Sequence, residues 1–170
     1  MIPLVLVLTT LVFRALGALG VRRFASWPAS AAHGMAVMLL FTASAHFVPA
    51  EATAMPNHAD MVRMVPPFLP FADALVYLTG VLELLGAAGL VITSTRRAAG
   101  YALAALFVAL LPANIHAAVA DVPFAGGAAT PLWQRIPEQI LYLAVAAWVA
   151  RTATRAPLAN HAEPKENVYS

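Results

Sequence analysis

The chain has 170 residues, of which 61% are hydrophobic and only 11% charged, against roughly 25% charged in an ordinary soluble domain. Its ten basic residues stand in ones and twos and leave a net charge of +2, so an isoelectric point near 9.4 is no nucleic-acid footprint. It has no cysteine, which excludes disulfide exchange, thiolate catalysis and cysteine-held zinc or iron–sulfur clusters.

With a mean hydropathy of +0.77, the composition predicts an all-α, polytopic membrane bundle. Apolar runs of membrane-crossing length predict five spans within one domain over residues 1–155. The first is Ile2–Leu19, interrupted by Arg14. Nothing basic precedes it, while Arg14, Arg22 and Arg23 follow, the reverse of a secretory signal. It therefore reads as a retained helix with its amino terminus outside. Trp27–Phe47 is the second span and has His46 at its end. The loop at 48–70 contains "MVPPFLP", where Pro66, Pro67 and Pro70 forbid a regular helix.

Phe71–Ile92 is the third span, with Gly80, Gly86 and Gly89 available for close helix approach. The turn "TSTRRAAG" leads to the fourth, Ala98–Val119, in which Gly100 and Ala104 offer the same service. This span also holds Pro112, Asn114 and His116. Pro112 lacks an N–H and predicts a kink with a freed Val108 carbonyl. After a loop at 120–131 comes the fifth span, Leu132–Val149, diluted at its start by Gln134 and Arg135. Residues 156–170 read as a polar, disordered tail.

Charge sets the orientation. With the amino terminus outside, Arg22, Arg23, Arg96, Arg97, Arg151, Arg155 and Lys165 fall on the cytoplasmic side, and only Arg63 and Arg135 outside. The expected topology is amino terminus out and carboxyl terminus in, in a cytoplasmic membrane. Arg14 is expected to snorkel toward the cytoplasmic headgroups.

On this topology His46, Asn114, His116, Glu138 and Gln139 lie in the outer half. Glu83, about twelve residues along its helix at 1.5 Å each, lies near the midplane with Thr79 one turn outward on the same face. A lone charge there costs on the order of 2.5–3.5 kcal/mol, so Glu83 must be protonated, paired or wetted. Its expected partners are Asn114, His116 and Thr79. The competing interpretation is that these side chains only glue helices together, with His33, His58 and His161 as ordinary boundary, loop and tail residues.

Six pieces, in order, carry a family resemblance: "TASAHF" (42–47), "MVPPFLP" (64–70), "LTGVLELLGAAGL" (78–90), "TRRAAG" (95–100), "PANIHAA" (112–118) and "PLWQRIPEQILYLA" (131–144). Over about residues 31–151 the chain resembles the DoxX family of small bacterial membrane proteins. The resemblance implies a four-helix membrane core, to which Ile2–Leu19 is an addition. Founding members are associated with a thiosulfate:quinone oxidoreductase, others with redox stress. The absence of cysteine argues against thiol chemistry in this subunit.

The resulting expectation is a redox-associated subunit, part of a complex rather than a stand-alone enzyme. It would bind a quinone-like or other small apolar ligand through Glu83, Asn114, His116, His46, Thr79 and Gln139. Its partners would be the bilayer and either another redox subunit or a second copy, with no nucleic acid. The alternative is a non-enzymatic assembly partner or small carrier. A weaker alternative places a metal or haem on His46, His116 and Glu83.

Overall fold

The computed structural model describes residues 1–52, 55–124 and 126–153. The predicted tail at 156–170, with His161 and Lys165, lies outside the described residues, as does Arg155. Within them the chain is all-helical: α1 Ile2–Ala18, α2 Trp27–Ser44, α3 His58–Met64, α4 Ala72–Val91, α5 Arg96–Ala109, α6 Leu111–Val119 and α7 Leu132–Thr152. A 3-10 turn at Arg22–Phe24 joins α1 to α2.

Helices α2, α4, α5 and α7 close a four-membered ring, in which α2 packs on α4, α4 on α5, α5 on α7 and α7 back on α2. Helix α1 lies against α2 outside this ring. The central element is α2, which buries ten of its 18 residues, mostly Ala, Gly, Ser and Met. Small side chains let neighbours on several sides come close. Gly100 shows the same economy, since a Cβ there would lie 2.8 Å from Ala150 Cβ and 2.9 Å from the Ala146 carbonyl oxygen.

The five predicted spans correspond to α1, α2, α4, α5 with α6, and α7. Two stretches, Ala72–Val91 and the nearly continuous Arg96–Val119, are long and apolar enough by themselves to cross a membrane. Helix α1 is apolar but has 17 residues. The small residues of α2 and the Gln134, Arg135, Glu138 and Arg151 side chains of α7 dilute their hydropathy.

Local chemistry explains the ends. Ser26 caps α2 through Ala29 N–H. Helix α2 stops at Ser44, three residues short of the predicted Phe47, and the chain goes on in a tight turn with His46 N–H donating to the Ala43 carbonyl. Helix α3 was not predicted within the 48–70 loop. Asn57 accepts from Asp60 N–H at 3.0 Å, starting α3, and the extended Val65 before Pro66 stops it.

Pro112 separates α5 from α6, yet the axis nearly continues, with Asn114 N–H donating to the Leu110 carbonyl. The Val108 carbonyl is not left free as expected. A backbone N–H at the α5 cap returns to it, tightening the last turn in place of the missing proline donor.

At the opposite end of the ring, the carboxyl terminus of α4 collects basic side chains. Arg23 donates to the Val91 carbonyl at 3.0 Å and Arg96 to the Leu90 carbonyl at 2.7 Å. Cations there complement the helix dipole. His33 is more than a boundary residue. It donates through Nδ1 to the Ala29 carbonyl, accepts from Arg23 through Nε2, and packs between Phe13 and Phe24.

Candidate functional site

Glu83 is buried where α4 faces α2. Thr42 donates to its Oε2 at 2.6 Å, and His46 Nε2 stands 3.7 Å from its Oε1. His46 Nδ1 lies 2.7 Å from the Val76 carbonyl oxygen, which can only accept, so Nδ1 carries a hydrogen. Thr79 is 3.3 Å from the same nitrogen and also donates back to the Leu75 and Val76 carbonyls. A Cβ on Gly80 would lie 2.6 Å from His46 Cβ, so only glycine there admits this imidazole between the helices. The result is a closed, acid–imidazole–hydroxyl cluster.

Asn114 and His116 have other partners. Asn114 accepts from Arg135 at 2.9 Å and donates to the Leu110 carbonyl at 3.2 Å. His116 Nδ1 lies 3.1 Å from the Met64 carbonyl oxygen, tying α6 to the end of α3. Gln139 donates to the Phe107 carbonyl at 2.9 Å, and Gln134 to Glu138 at 3.1 Å. The expected gathering of Glu83 with Asn114 and His116 therefore divides into an α2–α4 group and an α6–α7 group. Thr79 and His46 stay with Glu83. The Tyr142 hydroxyl, packed beside Phe107, is buried with no partner among the described residues.

A cavity of ligand size lies elsewhere. It has a volume of about 550 Å³ and opens at the end where α3 meets α4, within the range usual for small-molecule sites. Phe47, His58, Arg63, Asp73 and Tyr77 are among its walls, and Glu83, Asn114, His116, His46, Thr79 and Gln139 are not. The His58 ring stacks on Tyr77 with centroids 4.2 Å apart. Its Nδ1 donates to the His46 carbonyl at 2.8 Å, which leaves Nε2 facing Asp73 Oδ1 at 3.3 Å. Arg63 pairs with Asp60 through one nitrogen and remains more than half exposed.

His58 is the residue that sequence reasoning missed. Fifteen positions separate it from Asp73, and no local spacing announces the pair. The available signal was Asn57-x-x-Asp60, which caps α3 and so holds His58 in that helix's first turn.

The metal alternative needed His46, His116 and Glu83 in one place. Among the described residues, no three His, Cys, Asp or Glu side chains converge on a position that could hold a metal ion.

A family model described as a domain of unknown function (DUF8561) matches residues 35–150. The chain belongs to this family. No curated protein and no solved structure matches it. The DUF8561 match runs from the middle of α2 to near the end of α7, so it takes in α4, α5 and all but the very end of α7. Helix α1 lies outside it.

Proposed function

We propose that the protein is a five-span, amino-terminus-out membrane bundle of the DoxX type that binds a quinone-like aromatic ligand at its outer face. The membrane reading is supported by an inside-out distribution of polarity. Leu4, Leu8, Leu78, Leu85 and Ile140 face outward while Ser30, His33, His46 and Glu83 are buried. Exposed apolar surface on this scale suits lipid and not water. The basic turns at the other end match the cytoplasmic side of a bacterial inner membrane.

One observation carries the ligand: an open cavity walled by two aromatic rings with an imidazole, a guanidinium and a carboxylate at its edge. A flat ring fits against Phe47 and Tyr77, and its carbonyl oxygens accept from Arg63, or from His58 Nε2 when that imidazole is protonated. His58 and Asp73 would hold the proton that such a headgroup gains or loses. The reducing or oxidising partner would be another subunit.

Titration of the detergent-purified protein with a short-tailed benzoquinone tests this. Saturable binding is expected, weakened about tenfold in His58→Ala and in Arg63→Ala, the loss of one good hydrogen bond apiece. Equal affinity in wild type and both variants would sink the proposal. Loss of binding in Glu83→Ala and His116→Ala but not in His58→Ala would move the site to the deeper polar groups.

A second reading, a non-enzymatic assembly partner, is favoured by the internal pairing of Glu83, Asn114, His116 and Gln139, which is what helix glue requires. It predicts a purified protein that binds no quinone and a partner protein recovered in pull-downs.

A further inference from the structure

An apolar groove of about 180 Å³ runs between α1 and α7 across the face of α2, lined by Leu6, Leu11, Trp27, Leu141, Val145 and Trp148 among others. It is separate from the cavity at the α3–α4 end, with which it shares no residue. Its direction can be read from its walls. Trp27 opens α2 beside the basic 3-10 turn, and Trp148 stands one turn from the end of α7, so both indoles mark the basic end.

A cation waits at that same end. Arg14 follows Thr10 and Leu11 by four and three residues, which places it on the α1 face that lines the groove. Its guanidinium carbon lies 5.6 Å from the Trp27 ring centroid. Its Nε is buried with no hydrogen-bond partner among the described residues. Arg14 as a whole is only half-buried, so an acceptor from outside the chain can reach the rest of a guanidinium that has no acceptor of its own at Nε. Arg151, one turn beyond Trp148 and exposed, adds a second positive charge on α7.

We infer that this groove is a binding site for an anionic phospholipid, with one acyl chain between α1 and α7 and the phosphate on Arg14. The inference rests on the membrane reading and is independent of the quinone site. The apolar trough accepts a methylene chain, the paired indoles sit at headgroup depth, and the guanidinium matches phosphate in charge and hydrogen-bonding geometry. A zwitterionic lipid could fill the trough but would bring its own cation to Arg14.

The test uses the full chain with Trp133→Phe, which leaves Trp27 and Trp148 as the only indoles. It is placed in nanodiscs of phosphatidylcholine doped with brominated-tail phosphatidylglycerol or brominated-tail phosphatidylcholine. Phosphatidylglycerol should quench at lower mole fraction, with a preference of about fivefold, the order one basic residue contributes toward anionic lipid. Arg14→Gln should abolish the preference, while Arg14→Lys and Arg22→Gln keep it. Equal quenching by the two lipids in the parent protein overturns the inference. So does a preference that Arg22→Gln removes as fully as Arg14→Gln. Quenching by neither lipid would sink the membrane reading itself, and the groove proposal with it.

Discussion

Two polar regions lie next to each other on α4 and have opposite fates. Around Glu83 the carboxylate, imidazole and hydroxyls use one another up, in a space that Gly80 makes just wide enough. Around Asp73, two to three turns earlier, a similar acid and imidazole stand at the wall of an open cavity, with Asp73 largely exposed. The same residue types thus serve as cement where the helices touch and stand at a cavity wall where they part, the edge proposed to bind. They are joined by one bond, because the His46 carbonyl that ends the closed cluster accepts from the His58 that begins the open one.

Removing the acid from the closed region should do the most damage. Glu83→Ala leaves buried His46 and half-buried Thr42 without their partner and is expected to cost about 3 kcal/mol, read as a lowered unfolding midpoint in detergent. Glu83→Gln should cost much less, since the amide oxygen still accepts from Thr42. Equal losses in the two variants would mean that the cluster is not closed in the way described.

A Cβ at position 80 probes the join. Gly80→Ala pushes on His46 and should destabilise by about 1–3 kcal/mol, the usual cost of overpacking. Because His46 holds His58, quinone affinity should fall as well. Destabilisation with unchanged affinity would separate the two regions.

Asn114→Ala is the milder, more distant case. Arg135 loses an acceptor, for a cost of about 1 kcal/mol, and ligand affinity should stay at the wild-type value. A drop in affinity would bring the α6–α7 group back into the site. Asp73→Asn should have the smallest effect on stability, none measurable by thermal unfolding, because an exposed pair contributes little. Its expected signature is a severalfold weaker binding of the benzoquinone at neutral pH.

Element positions were legible in the sequence because they rest on local facts. The apolar runs, Ser26 before α2 and the prolines after Met64 each act within a turn or two of chain. Depth was legible only in part: rise per residue put Glu83 near the midplane and His46 at the outer end of its span, yet the two side chains stand 3.7 Å apart. Azimuth was not. Whether Glu83 turns toward α2 or toward α6 depends on how each helix is rotated about its own axis. With small residues on several faces of α2 and α4, periodicity leaves that rotation open. His58 was overlooked for a related reason. Its pairing with Asp73 and Tyr77 depends on α3 folding back over the start of α4, and a loop with three prolines gives no rule for that return.

The sequence by itself determined that this chain is helical, roughly where its long apolar helices lie, and that its buried acid must find company. These follow from solvent preference, capping and the geometry of a single helix. Tertiary structure alone decided which polar groups met, that α2 rather than α6 answers Glu83, and where space was left over. Those outcomes depend on rotations and close approaches between separate helices, settled by the packing of small residues whose contacts no stretch of sequence contains.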